Sequence, residues 1–250
     1  MLRSTFLHLT DIGERTELQL WSNQITSWEK LRAWSNDSHF SPARRARLRS
    51  ELDQSENALR SFEGAWFARR LPTREHWRLY RSFSARTAFL DIETTSLSPY
   101  QGVVTVVCVH GGGQTRTFVA DDDLEELPAH LKKFEVLVTF NGRMFDVPFL
   151  EVRFPQLEVP PAHIDLRFVL HRIGISGGLK RIEQTLGLGD RSGVEGIHGA
   201  DAVRLWEEFR RGNTAALERL VRYNRADTVN LEPLMDFAFT ELSRRLLPVG

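Results

Sequence analysis

The feature that most limits what this chain can fold into is a change of hydrophobic period near residue 85. Before it, apolar side chains recur at helical spacing. "LTDIGERTELQLWSNQITSWEKLRAW" predicts helix, short turn, helix, the second opened by Thr26 with Glu29 three residues on, the spacing of a capping box. "SPARRARLRSELDQSENALRSFEGAWFARRL" predicts one long helix with Ser41 as N-cap and Pro42 at its first position. Leu48, Leu52, Leu59, Phe62 and Trp66 fall on one stripe of that helix, so it packs against something, and Leu71-Pro72 ends it. "TREHWRLYRSF" predicts a further short helix.

Beyond Ala85 come short β-rich runs at 87–92, 103–109 and 115–120. The Gly111-Gly112-Gly113 run joins two strands and opens no helix, so it predicts a hairpin turn and not a phosphate loop. An acidic helix start, "DDDLEELPAHLKKF", leads to the strand "EVLVTF", after which the chain is mainly helical. The expected fold is therefore α/β with a mixed sheet, in residues 84–250, preceded by a small all-helical domain, residues 1–83.

A chain of 250 residues can bury a sizeable core. Its single cysteine, Cys108, allows no internal disulfide and no zinc cluster, and in "GVVTVVCVH" it reads as a small buried hydrophobe. No stretch has the apolar length of a signal-peptide core or a membrane span, which predicts a cytoplasmic protein with no membrane contact. Net charge is zero, but its distribution is uneven. Residues 1–82 hold 14 Lys/Arg against 10 Asp/Glu, and residues 83–250 hold 19 against 23. A basic front half on an acidic back half fits a nucleic-acid grip attached to a metal centre, and it also fits chance.

The stretch "FLDIETTSL" carries the first chemical signal. Side chains alternate along a strand, so Asp91 and Glu93 point to one face of an otherwise apolar run. Crowded carboxylates repel and lose solvation unless a positive charge lies between them. A divalent cation would supply it; a strand simply ending in solvated polar residues is the alternative. Later, "VTFNGRMFDVPFL" places Asn141 at a strand end and Asp146 at the start of an apolar helix, where the helix dipole alone would favour a carboxylate. "LERLVRYNRADTVNLEPL" puts Tyr223 and Asp227 four apart on one helical face, which an ordinary amphipathic helix would also do.

The order of these three motifs resembles that of the DEDD (DnaQ-like) 3′–5′ exonucleases of the RNase H-like superfamily, in the variant whose last motif carries tyrosine. "FLDIETTSL" looks like their first motif, "VTFNGRMFDVPFL" their second and "YNRAD" their third, and the resemblance covers roughly residues 85–240. "HIDLRFVLHR" and "LKRIEQTLGL" look like the bacterial YprB-like branch. The resemblance implies a five-stranded mixed sheet flanked by helices, and two magnesium or manganese ions bound by hard oxygen ligands. It implies that Asp91, Glu93 and Asp227 hold one ion, that Asp91 bridges to a second, and that Asp146 reaches the second through water. Tyr223 would orient the attacking water, since an ordinary phenol pKa near 10 suits an orienter better than a base.

Further candidates are bland or functional by turns. Asp165 in "HIDL" is a site buttress or a helix cap, His163 a contact residue or a hydrogen-bonded structural histidine, and Glu183 a helix-surface residue. Asn141 and Phe145 are candidate nucleic-acid contacts, as are Lys180 and Arg181 after Gly177-Gly178. "LTDIGERTELQLWSNQITSWEKL" resembles a single helix-hairpin-helix motif, with Asp11-Ile12-Gly13 where the family's hairpin reads glycine-apolar-glycine. The aspartate places negative charge where a phosphate would lie, for which Arg15, Arg44, Arg45, Arg47 and Arg49 could compensate. Packing or partner docking, with Trp21, Trp28 and Trp34 as core, is the other use of that module.

The expected function is metal-dependent 3′–5′ hydrolysis at single-stranded DNA or RNA ends, with DNA slightly favoured. An RNA-processing or structure-specific nuclease on the same residues is the alternative within the class. A non-catalytic scaffold is the alternative outside it.

Overall fold

The computed structural model describes residues 1–37 and 40–247. A 3₁₀ turn at Leu2–Ser4 leads to α1 (Glu14–Ser22), α2 (Trp28–Asp37), α3 (Pro42–Arg60) and α4 (Gly64–Ala68). A run of 3₁₀ turns, Thr73–Arg86, then enters the sheet region. There follow β1 (Thr87–Thr94), β2 (Val104–Gly111), β3 (Gln114–Val119), α5 (Leu127–Leu131), β4 (Val136–Thr139), α6 (Asp146–Arg153) and β5 (Ala162–Asp165). The chain closes with α7 (Leu166–Arg172), α8 (Leu179–Leu186), α9 (Gly199–Arg210), α10 (Thr214–Val229) and α11 (Leu231–Leu246).

The five strands form one mixed sheet in the order β3-β2-β1-β4-β5. β1 pairs antiparallel with β2 and parallel with β4, so it is paired along both edges. β2 and β3 make the expected hairpin, closed by Gly112 and Gly113. Both have positive φ, +58° and +77°, as a two-residue turn between right-twisted strands requires. One face of β1, through Ala88, Leu90 and Ile92, packs under α5 and α6. The other, through Phe89, joins a core built from α11, α7 and the N-terminal helices.

Ser41 caps α3 as expected, its Oγ accepting from the Arg44 amide at 3.3 Å, with Pro42 in the first turn. Three local expectations change. The cap of α2 is Ser27 and not Thr26: its Oγ accepts from the Lys30 amide at 3.2 Å. The long helix breaks at Phe62, which takes φ +53°. The reason lies far along the chain. Glu135, just before β4, accepts from the Gly64 amide at 2.9 Å, and a Cβ on Gly64 would come within 2.7 Å of that glutamate's own Cβ. α4 thus turns onto the sheet in place of continuing α3. Trp21 and Trp28 are core, but Trp34 is 39% exposed and meets Phe40 edge-on at 5.1 Å. The Asp11-Ile12-Gly13 turn follows the short Leu2–Ser4 turn and opens α1, with Asp11 at φ +63° and its carboxylate bonded to Arg47.

A buried ion network ties these helices to the α/β region. Arg78, 3% exposed, contacts Glu17 at 3.0 Å and Glu75 at 2.6 Å, and Arg172 at the end of α7 reaches the other Glu75 oxygen at 3.0 Å. Glu17 also accepts from the Thr5 hydroxyl and the Phe6 amide, so its carboxylate is well satisfied without solvent. Breaking such a network leaves buried charge unpaired, which is more costly than never having placed it there. Arg78→Ala is expected to lower unfolding free energy by about 3–5 kcal/mol in urea titrations. A loss below about 1 kcal/mol, the scale of an exposed pair, would show that the network holds nothing together.

Candidate active site

β1 carries Asp91 opposite Cys108 and Glu93 opposite Val106, and both carboxylates share the Phe89 face, as strand alternation demands. α10 lies across that face and buries Tyr223, Asn224, Asp227 and Thr228. Ligand-competent oxygens of Asp91, Glu93 and Asp227 all lie within 4.8 Å of one another. Asn224 donates to Asp91 Oδ2 at 2.8 Å, so α10 delivers both a carboxylate and the amide that fixes another.

Asp146, the first residue of α6, is buried beside them, and its charge acts on Asp91 and Glu93. Its place is set by the turn after β4. Asn141 adopts φ +65°, and the amides of Asn141 and Arg143 donate to Asp165 at 2.8 and 3.2 Å. At Gly142 a Cβ would come within 2.5 Å of Thr139 Cβ, so that position admits only glycine. Asp165 also caps α7 through the Arg167 amide at 3.1 Å, so it serves as cap and buttress together. His163 bonds Thr139 at 2.8 Å, and burial pushes its imidazole down to about 3, so it is a neutral structural histidine.

Burial raises Asp91 and Glu93 well above the usual carboxylate range, and mutual repulsion with Asp227 and Asp146 raises them further. Asp146 is pushed up to about 7, mainly by burial, against the pull of its own amide. The Tyr223 hydroxyl is shifted upward by burial and by the negative charge of Asp227, Glu93 and Asp91. Two cations come close. Lys180 places its ammonium 4.3 Å from the Tyr223 ring centre and donates to the Ile197 carbonyl. Arg191 bonds both Asp227 and Glu183.

The candidate nucleic-acid contacts separate into two groups. Phe145 packs on Phe149 at 4.9 Å and lines a cleft of about 400 Å³ with Ile92, Glu93, Leu97 and Val203, directly beside the carboxylates. Asn141 accepts from Arg167 at 2.7 Å on the wall of a second cleft, beside Phe168, His171 and Gly177. Lys180 faces the cluster, whereas Arg181 is exposed on α8. Arg44 and Arg45 lie on α3, which packs with α2 and α4, so the fold does not bring them to the carboxylates. Glu183 is not a surface residue: it is 3% exposed and paired with Arg191. Asn224 and Arg191 were not among the expected site residues. Asn224 sits three before Asp227 and could have been found from helical spacing. Arg191 lies between α8 and α9 in "GLGDRSGVEG", where no periodicity marks it.

The donor set fits a hard divalent cation: three carboxylates converge, and their repulsion raises the protonation of the free acids. The burial of Asp146 has a measurable consequence. Its folded pKa lies above the unfolded value, so the folded state binds the proton more readily, and the ionised group destabilises the fold above pH 7. That penalty fades as pH falls from about 7 toward about 4. In excess chelator, Asp146→Asn is expected to be more stable than wild type at pH 8 by roughly 1–3 kcal/mol, with most of the advantage lost by pH 4. An equal difference at both pH values in urea titrations would contradict this.

A family model described as RNase_H superfamily matches residues 88–239. No curated protein matches the chain. Among solved structures, the family B DNA polymerase of Pyrobaculum calidifontis is 22% identical with a TM-score of 0.49, over 65% of this chain and 26% of that one. This chain thus spans about a quarter of the polymerase's length. Brucella melitensis NrnC with bound Mg2+ is 20% identical with a TM-score of 0.44, over 65% and 76% of the two chains. Escherichia coli RNase D, an exoribonuclease involved in structured RNA processing, is 16% identical with a TM-score of 0.41, over 71% and 49%. With the family match spanning the sheet, both ends of the carboxylate cluster and α10, the chain belongs to the RNase_H superfamily.

Proposed function

We propose that this protein is a metal-dependent 3′–5′ exonuclease acting on single-stranded nucleic-acid ends, DNA slightly favoured over RNA, in the tyrosine-bearing, YprB-like branch of the DEDD group. The observation that carries this is the convergence of Asp91, Glu93 and Asp227 to within 4.8 Å, with Asp146 buried alongside. A scaffold has no use for buried like charges, which raise one another's pKa and weaken the fold. Bound magnesium or manganese would supply an activated water and charge to offset that on the phosphate and the leaving oxygen.

The protein's own groups do the positioning. Asp91, Glu93 and Asp227 would hold one ion, and Asp91 with Asp146 the second. Asn224 fixes the rotamer of Asp91 through its 2.8 Å bond. Tyr223 lies one helical turn before Asp227, and its upward-shifted hydroxyl keeps its proton at neutral pH. It therefore serves as a donor that orients the attacking water and not as the base that takes its proton. The cleft lined by Phe145 and Leu97 offers apolar surface to a terminal base, and exposed Tyr100 on the loop after β1 adds an aromatic face. Residues 1–83 would act as a helical module, with Arg44 and Arg45 as grip.

Digestion of end-labelled single- and double-stranded DNA and RNA, with magnesium or manganese, tests the whole proposal. Metal-dependent release of single nucleotides from 3′ ends is expected, and no cleavage of any substrate would overturn it. Asp91→Ala and Asp227→Ala are each expected to abolish activity while the fold persists. Tyr223→Phe keeps the ring's packing and is expected to lose roughly 10–1000-fold in rate, a milder loss than that of Asp91. A phenylalanine variant with wild-type rate would make Tyr223 a packing residue only.

The front half has its own test. Arg44 stacks over the Phe40 ring at 4.2 Å, and Arg45 donates to the Asn36 and Phe40 carbonyls, so neither has its charge offset by a carboxylate through these interactions. Charge reversal of both is expected to weaken substrate binding. It should also flatten the salt dependence by roughly 0.7–0.9 log units for each phosphate that is no longer neutralised. Unchanged affinity and slope would assign the module to partner docking.

A further inference from the structure

Arg191 stands between two acids of different helices. Its Nη1 donates to Asp227 Oδ1 at 2.5 Å, and its Nε bonds Glu183 on α8. Both acids are buried, and the Arg191 side chain is itself only 17% exposed. The guanidinium is incompletely satisfied, because its Nη2 is buried without a hydrogen-bond partner among the described residues. A bond that leaves a buried donor unpaired is a poor resting place for so polar a group. What keeps it there is charge: Asp227 lies among Glu93 and Asp91, and Glu183 adds a further carboxylate beside it.

A divalent cation drawn to Asp227 therefore meets a positive charge already bonded to the same carboxylate. Two positive charges would share one carboxylate, so the guanidinium and the cation oppose each other. The opposition is reciprocal: whatever the arginine gains from Asp227, the metal loses. We propose that Arg191, anchored by Glu183, is a positioning residue that acts as an internal counter-cation of Asp227 and thereby sets the affinity of the carboxylate site for metal. The proposal rests on Asp227 being a metal ligand. It adds that this ligand is held by a competitor built into the chain.

The sign of the effect separates this role from a merely structural one. A pair that only braces the loop would, when broken, loosen Asp227 and weaken metal binding. Removing a competitor does the reverse.

The test is a calorimetric titration of the full-length protein with MnCl2, without nucleic acid, for wild type, Arg191→Gln, Arg191→Lys, Glu183→Gln and Asp91→Asn. Arg191→Gln is expected to bind Mn2+ about ten-fold tighter or more, and Arg191→Lys to stay near wild type because the charge remains. Glu183→Gln is expected to bind about ten-fold weaker, since the arginine then has Asp227 as its one acidic partner in this triad. In chelator Arg191→Gln should melt below wild type, and Mn2+ should raise its Tm by the larger amount. Arg204→Gln, at an exposed pair on α9, controls for loss of a surface charge and should change nothing. Equal or weaker Mn2+ binding by Arg191→Gln overturns the proposal. So does unchanged or tighter binding by Glu183→Gln, which decides the matter if the Arg191 variant does not fold. If Asp91→Asn binds as wild type does, or wild type binds no Mn2+, the carboxylate site itself fails, and the competitor role falls with it.

Discussion

Repulsion among buried carboxylates is the constraint around which this molecule is arranged. Asp91, Glu93 and Asp227 converge within 4.8 Å, and Asp146 is buried close enough to raise the first two. Left to itself, such a cluster would spread or protonate. It stays in place because each member is fixed by backbone and not by side-chain packing alone. Asp91 and Glu93 sit on β1 opposite Cys108 and Val106 of β2, just beyond the stretch Thr87–Phe89 that also pairs with β4. Asp227 sits in the last turn of the 16-residue α10, which runs almost directly into α11. Asp146 is pinned by a turn in which Asp165 takes two amides and position 142 admits only glycine. Rigid elements of this kind hold like charges nearer than flexible loops would.

The strand that carries the acids shares one apolar cluster with the N-terminal helices. The face of β1 that carries the acids continues through Phe89 into the same apolar cluster as Leu2, Trp21, Trp28 and Phe67 from the N-terminal helices, and Leu234 and Ala238 from α11. The Glu17–Arg78–Glu75–Arg172 network crosses the same boundary, from α1 to α7. The change from helical turns to strand between Arg86 and Thr87 thus coincides with no gap in packing. The N-terminal helices share the apolar cluster of Phe89, Val136 and Ile164 from the sheet.

Much of this was legible in the sequence where the signal is local. Alternation along β1 and four-residue spacing along α10 each place two side chains on one face without reference to anything distant, and both faces are those observed. The hairpin at Gly112 and Gly113 was equally local. What escaped depends on partners far along the chain. The break at Phe62 follows from Gly64 meeting Glu135, and nothing in "ALRSFEGAWF" reveals that. Glu183 reads as a surface position until Arg191, eight residues on, folds over it. Asp165 could be weighed as cap or buttress but not seen to be both, because the second role needs the turn at Asn141 and Arg143.

These distant partners share a purpose that becomes visible only around α8. Lys180 and Glu183 are three apart and so lie on one helical face. Lys180 sets its ammonium over the Tyr223 ring, and Glu183 holds Arg191 against Asp227. Through one short helix, then, both flanking cations are addressed to α10, one at each end of the Tyr223–Asp227 turn. Burial lowers the Lys180 pKa while Asp227 and Glu93 support its charge, so the ammonium depends on the acids as they depend on it. Full neutralisation would leave the cluster no attraction for a divalent ion, and none at all would raise the carboxylates until they protonated. The two cations offset part of the cluster's charge, Lys180 acting on Glu93 and Arg191 on Asp227. α8 therefore belongs to the electrostatics of the site as fully as β1 does, although it supplies none of the converging carboxylates.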